Sequence, residues 1–236
     1  MSRSAPPPVH SLEQDVSLKA DGVTLQGTLT LPPDATGLVI FAHGSGSSRL
    51  STRNRRVAQR LVDAGFGTLL FDLLTAAEES DDAITGHLRF DIGFLTDRLL
   101  HATNWVQAQP ETRSLPIGYF GASTGAAAAL AAAAQAPQAV RAVVSRGGRP
   151  DLAEEYLPQV SAPTLLIVGG RDDVVVPLNE YALALIPGVK RLEIIPGATH
   201  LFGEPGALEA VAQLAIDWFE QHLKPAATGN QREIKQ

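Results

Sequence analysis

The stretch Leu115–Leu130, reading LPIGYFGASTGAAAAL, constrains the architecture more than any other part of the chain. Pro116 to Phe120 is a short apolar run of the kind a buried strand shows, and the Ala-rich segment from Ala126 is a strong helix former. Between them Gly121-Ala-Ser123-Thr-Gly125 forms a G-x-S-x-G motif. The chain must therefore turn sharply from strand into helix with a serine at the apex. A hydroxyl attacks well only when it stands clear of the backbone. A tight turn with strained dihedrals achieves this, and side chains two residues to either side would collide there. Gly121 and Gly125 remove those side chains. The following helix directs its free N–H groups and positive dipole end at the same spot, where a developing oxyanion would form. Ser123 is thus the candidate nucleophile.

The rest of the chain reads as a frame for that turn. Val16, Leu18 and Ala20, then Val23, Leu25, Leu29 and Leu31, alternate with polar residues around Asp21-Gly22, the dipeptide favoured in two-residue hairpins. From Leu38 the pattern changes to continuous apolar runs, as parallel strands buried on both faces require. Strands are predicted at Leu38–Ala42, Gly67–Asp72, Pro116–Phe120, Val140–Ser145, Thr164–Val168 and Arg191–Ile195. Helices are predicted at Ser51–Ala64, Asp91–Gln109, Ser123–Gln135, Leu178–Leu185 and Glu204–Leu223, the last opening with Pro205. The expected fold is α/β: a doubly wound, mostly parallel sheet with an N-terminal antiparallel hairpin. Ligands in such sheets bind at the carboxyl ends of the strands. A single domain is expected over residues 12–223, with residues 1–11 (Pro- and Ser-rich) and 224–236 (mostly polar) lacking fixed structure.

Composition excludes several classes of function. Cysteine is absent, which removes disulfides, thiolate metal sites and a cysteine nucleophile together. The net charge is −6 and no Lys/Arg cluster is interleaved with aromatics, so no nucleic-acid partner is expected. The N-terminus has no apolar leader and no run approaches a membrane span, so the expectation is a cytoplasmic protein with no membrane partner. Oligomeric state is not encoded in any readable feature.

With GASTG set between a strand and a helix, the chain resembles the α/β-hydrolase superfamily, specifically its small, single-domain, dienelactone-hydrolase-like esterases. In that fold the triad partners follow in the order Ser, acid, His, each on a loop after a strand. After Thr164–Val168 comes Gly169-Gly-Arg-Asp172-Asp173 with Val176-Pro177 beyond it, which resembles the family's Gly-x-x-Asp followed by Val-Pro. Asp172 has the spacing, and Asp173 is its rival. Past the last strand, Pro196-Gly-Ala-Thr-His200 resembles the family's small-residue loop ending in His. Of the six histidines only His200 follows the final strand in the required order. The resemblance implies catalytic Ser123, Asp172 and His200, with the imidazole shuttling the serine proton and the carboxylate fixing its tautomer.

An oxyanion hole in this fold uses the amide after the nucleophile and one from the loop after the first parallel strand. Those donors are the backbone N–H groups of Thr124 and, in the loop His43-Gly-Ser-Gly-Ser, of Ser45, with His43 shaping the loop rather than acting as a base. The same loop superficially matches a dinucleotide fingerprint, but Arg49 stands where the third glycine should be. Arg146 and Arg149 follow a strand at the ligand-binding end of the sheet. Each is a candidate for a substrate carboxylate or for salt bridges to Asp151, Glu154 or Glu155. The segment 146–163 has room for no lid larger than one short helix around Leu152–Leu157. The acidic stretch Thr75–Arg89 reads as a long loop, a flap or simply a solvated one.

The resemblance implies a serine hydrolase that cleaves short-chain carboxylic esters through an acyl-enzyme on Ser123. It implies no cofactor or metal and a small-molecule ester as the partner. A thioesterase, a lactone hydrolase and a cofactor-free perhydrolase are the neighbouring activities; a binding protein that keeps the hydrolase fold is the alternative outside enzymes.

Overall fold

The computed structural model describes residues 11–223; the two stretches expected to lack fixed structure lie almost entirely outside the described residues. The hairpin forms as read. β1 (Leu12–Ala20) pairs antiparallel with β2 (Val23–Leu31), and Asp21 and Gly22 both adopt positive φ, 45° and 82°, as a two-residue turn of this hand demands. β2 continues antiparallel onto β4 (Gly67–Phe71), and from there every pairing is parallel.

The remaining strands are β3 (Leu38–Ala42), β5 (Ile117–Ala122), β6 (Val140–Arg146), β7 (Thr164–Gly169) and β8 (Lys190–Ile195). The eight-stranded order is β1-β2-β4-β3-β5-β6-β7-β8. β5, which feeds the Ser123 turn, is therefore central, flanked by β3 and β6. All residues of β3, β4, β5 and β7 are buried, which explains why their sequences read as unbroken apolar runs.

Helices cover both faces. α1 (Thr52–Asp63) and α6 (Ala207–Leu223) pack on one side around Phe66, Phe120 and Phe219. On the other lie α3 (Ile92–Ala108), α4 (Thr124–Gln135) and α5 (Val175–Leu185). α4 is buried from Thr124 to Ala133, and its small side chains let it lie against the sheet and α3 at once. The two glycines of the turn serve this close packing. A Cβ on Gly121 would lie 2.4 Å from Ala126 Cα, and one on Gly125 2.3 Å from the Ala42 carbonyl oxygen.

Two connections differ from the sequence reading. Pro150–Gln159 is a 3₁₀ segment kinked at Ala153, longer than the short helix expected there, and no separate cap domain interrupts the described residues. Thr75–Arg89 is not a loop: Ala76–Thr85 forms a helix, α2, followed by a 3₁₀ turn at Leu88–Phe90. Thr75 caps it, accepting from the Glu78 N–H at 3.2 Å while Glu78 Oε2 accepts from the Thr75 N–H at 2.7 Å, and Gly86 ends it with φ 69°.

Candidate active site

At the end of β5 the chain turns through Ser123, which holds φ 52° and ψ −121°, a conformation that costs a non-glycine residue free energy and persists only when the surroundings impose it. Three backbone bonds do so. The Ser123 N–H donates to the Arg146 carbonyl at 3.3 Å, and the Ser123 carbonyl accepts from the N–H groups of Ala126 and Arg149, both at 3.1 Å. The serine is thereby bolted to the end of β6.

Asp172 and His200 reach each other from neighbouring loops. The Asp172 N–H closes a turn onto the Gly169 carbonyl at 2.9 Å, just past β7. The Gly170 N–H donates to Ile195 at 2.8 Å and the Arg171 N–H to Ala198 at 2.9 Å, so the acid's loop is laced to the loop after β8. Asp172 Oδ2 lies 2.6 Å from His200 Nδ1, and the carboxylate is 11% exposed against 39% for the imidazole. Asp173 is exposed and takes no part in the pair. Gly147 joins the two halves of the site: it follows the carbonyl that holds Ser123, and its Cβ position lies 3.5 Å from His200 Nδ1. Among the described residues no hydrogen bond links Ser123 Oγ to His200; such bonds commonly tighten only when substrate is present.

The loop after β3 also packs against the serine turn. The Ser45 N–H donates to Thr124 Oγ1 at 3.0 Å, and the two hydroxyls are 3.0 Å apart. Ser45 and Thr124 are therefore brought together, but the Ser45 amide is taken by a side chain in this state. His43 is 7% exposed. Its Nε2 accepts from the Leu73 N–H at 3.0 Å, which leaves the proton on Nδ1, 3.0 Å from the Gly44 carbonyl. Burial holds this imidazole below its ordinary pKa, so it is a neutral strut between the ends of β3 and β4. Arg49, the residue that spoiled the dinucleotide motif, donates through its N–H and Nη1 to both oxygens of Asp72, at 2.7 and 2.8 Å.

Sequence reasoning missed the roof. α2 closes a cavity of about 250 Å³ whose walls include Ser45, Leu73, Leu74, Ala83, Leu95 and Thr124. Asp82, read as part of a solvated acidic run, is 3% exposed. It accepts from the Leu88 N–H at 2.7 Å and from Arg89 Nε at 2.6 Å. Burial alone would raise the Asp82 carboxyl, but the bonds from Arg89 and Leu88 outweigh it and hold it below the usual carboxylate range. Glu78 pairs with the buried Arg98 of α3 at 2.6 Å. The signals were in the sequence: Thr75-x-x-Glu78 is a capping box and Gly86 a helix stop.

Of the two arginines flagged after β6, Arg149 makes the salt bridge: Nε and Nη2 meet both oxygens of Asp151 at 2.8 and 2.7 Å. Arg146 forms none among the described residues and is 8% exposed. Elsewhere His101 meets Asp21 at 3.0 Å and His222 packs on Trp218, each far along the chain from the Ser123 turn.

Comparison with known proteins gives the family and the fold. The chain is 59% identical over 220 residues to a Mycobacterium tuberculosis (strain H37Rv) protein provisionally named a phosphoribosyl transferase; the match takes in 93% of this chain and 48% of that protein, so the chain spans about half the length of the curated relatives it matches. The crystal structure of a dienelactone hydrolase from Anabaena variabilis superposes with a TM-score of 0.89 at 59% identity, covering 91% of this chain and 99% of that one. A cold-adapted esterase from an Arctic intertidal metagenomic library shares the fold, with a TM-score of 0.72 at 20% identity over 95% of this chain and all of that one. No described helix is long and apolar enough to cross a membrane. The model of the dienelactone hydrolase family matches residues 25–224, from the hairpin through the last helix, and the chain belongs to that family.

Proposed function

We propose that the protein is a serine hydrolase that cleaves small carboxylic esters through an acyl-enzyme on Ser123. The observation that carries the reading is the 2.6 Å Asp172–His200 pair, laced beside a serine held at positive φ between β5 and α4. Ser123 Oγ attacks the ester carbonyl while His200 Nε2 takes its proton, and Asp172 stabilises the imidazolium that forms. The tetrahedral oxyanion is received by the amides of Thr124 and Ser45. The intermediate then expels the alcohol, which leaves with the proton from His200. Water, deprotonated by the same imidazole, cleaves the acyl-enzyme. The transferase name of the mycobacterial relatives belongs to proteins about twice the aligned length and does not bear on this constellation. A burst of p-nitrophenol from p-nitrophenyl acetate, together with covalent labelling of Ser123 by a fluorophosphonate, tests the reading. Folded protein that shows neither rejects it in favour of a binding role.

The Thr124 hydroxyl sits where the Ser45 amide needs to be free, so the oxyanion must displace it. Donation then comes from backbone groups, and the side chain is dispensable. Thr124→Val and Ser45→Ala are expected to retain kcat within about tenfold of the parent. A loss of about 10² or more in either, the size seen when an oxyanion donor is removed, would show that a hydroxyl itself donates to the oxyanion.

The roofed cavity also bears on substrate size. Its apolar lining is only Leu73, Leu74, Ala83 and Leu95, and Glu79, Asp82 and Arg89 line it as well. Each buried methylene contributes about 0.8 kcal/mol only where protein covers it. kcat/KM along a p-nitrophenyl ester series is expected to peak at about two to six acyl carbons and fall steeply by about ten. A maximum at lauroyl or longer would mean that α2 swings away from the oxyanion loop.

A further inference from the structure

The face of the sheet that carries α1 holds two arginines, Arg53 and Arg146, that form no salt bridge among the described residues. Arg146 ends β6, and Ser123 hangs from its carbonyl, while its side chain passes to the opposite side of the sheet from Ser145. The guanidinium lies 5.9 Å from the centre of the Phe202 ring, two residues past His200. Arg146 is 8% exposed, and its Nε and Nη1 are buried without a hydrogen-bond partner among the described residues. The neighbouring charge is Arg53, whose Nε is likewise buried and unbonded. Among the described residues neither arginine forms a salt bridge, although Arg49, Arg56, Arg89, Arg98 and Arg149 all do.

Arg53 sits in the first turn of α1, at the positive end of the helix dipole, where the N-cap Ser51 Oγ accepts from the Asn54 N–H at 3.4 Å. That turn contains no acidic residue, the usual complement to the dipole. Burial and the proximity of Arg53 together push the Arg146 guanidinium down to about 10, so it remains charged at neutral pH. The groove beside them, running along Leu201 and Phe202, does contain carboxylates: Glu209 is committed to Arg56, and Glu204 accepts the Thr199 hydroxyl through Oε1 at 2.7 Å, while its Oε2 is buried with no hydrogen-bond partner and forms no salt bridge with either arginine among the described residues. A buried, unpaired guanidinium next to a second one and a helix N-terminus is costly unless a negative group completes the set.

We propose that Arg53, Arg146 and the first turn of α1 form a subsite for an oxyanion, a carboxylate or phosphate group, behind the His200 loop. Guanidinium forks and a helix N-terminus both present N–H donors to such oxygens, and Phe202 supplies the apolar wall. Neither arginine nor Phe202 lines the cavity beside Ser45 and Thr124, so the subsite is separate from that cavity.

Thermal unfolding of the full chain, titrated with inorganic phosphate against chloride at constant ionic strength, tests the subsite without any turnover. Phosphate is expected to raise Tm by about 2 °C or more in the parent protein. Arg53→Gln, at a half-buried surface position, is expected to abolish that response and to raise Tm in phosphate-free buffer, because it removes the repulsion on Arg146. Arg146→Met, which fills the same space, is a second variant with the same expected loss of response. No stabilisation, or equal stabilisation of the parent and Arg53→Gln, overturns the proposal; the latter is the general effect of an excluded salt. The source of the anion is read separately, from the ratio of kcat/KM for p-nitrophenyl hydrogen glutarate to that for p-nitrophenyl butyrate. A ratio that falls tenfold or more in Arg53→Gln supports the subsite and places the anion on the substrate. An unchanged ratio, together with a phosphate response that the parent shows and Arg53→Gln loses, supports it as a site for a separate anion. Failure of both esters to react would count against the esterase reading alone.

Discussion

Ser123→Ala is expected to lower kcat by about 10⁴-fold or more while leaving the fold intact, the effect of losing one member of an interdependent triad in the proposed mechanism. The fold should survive because, among the described residues, the serine hydroxyl makes no hydrogen bond that holds the turn. The turn is fixed by backbone bonds to Arg146, Ala126 and Arg149, and by the space that Gly121 and Gly125 leave empty. Alanine pays the same cost for φ 52° as serine, so stability should change little. Substrate binding should also be largely retained, since the oxyanion donors and the α2 cavity are untouched, and the loss should fall on kcat rather than on KM. Purified Ser123→Ala that keeps more than a tenth of the parent's esterase rate, with an unchanged unfolding midpoint, would remove Ser123 from the chemistry.

The sheet was legible because buried parallel strands leave unbroken apolar runs, and the hairpin because Asp21-Gly22 is a turn that few other dipeptides can make. The Ser123 turn was legible for a similar reason: only glycine fits at 121 and 125, so the backbone geometry is written in residue identity. α2 was hidden by its charge. Glu78, Glu79, Asp81 and Asp82 read as a solvated run, and Asp82 is buried only because Arg89, seven residues later, folds back onto it. Arg146 was hidden for the converse reason. Strand alternation sends its side chain toward α1, and the neighbour that makes its position costly, Arg53, is more than ninety residues away in sequence. The contact between the Ser45 amide and the Thr124 hydroxyl likewise spans 79 residues and leaves no local signature.

Asp172→Asn is expected to cut kcat by about 10⁴-fold, and Asp173→Asn to leave it within about twofold. The two carboxylates are adjacent in sequence but differ in what they touch. Asp172 meets His200 Nδ1 at 2.6 Å and is shielded, whereas Asp173 is exposed and outside the pair. A carboxylate can only accept, so it keeps the imidazole proton on Nδ1 and leaves Nε2 bare to serve as the base. An asparagine at 172 can turn its amide to donate to Nδ1 instead, which moves the proton to Nε2 and leaves no lone pair for the Ser123 hydroxyl. The fold has no reason to change: the Asp172 backbone bonds to Gly169, Val175 and Val176 do not involve its side chain. The decisive measurement is kcat for both variants at matched folded fractions, with the acyl-enzyme burst recorded in each. If Asp173→Asn proved the crippled variant and Asp172→Asn the active one, the loop after β7 would have to rearrange in solution so that the exposed carboxylate, and not the one paired here, orients His200.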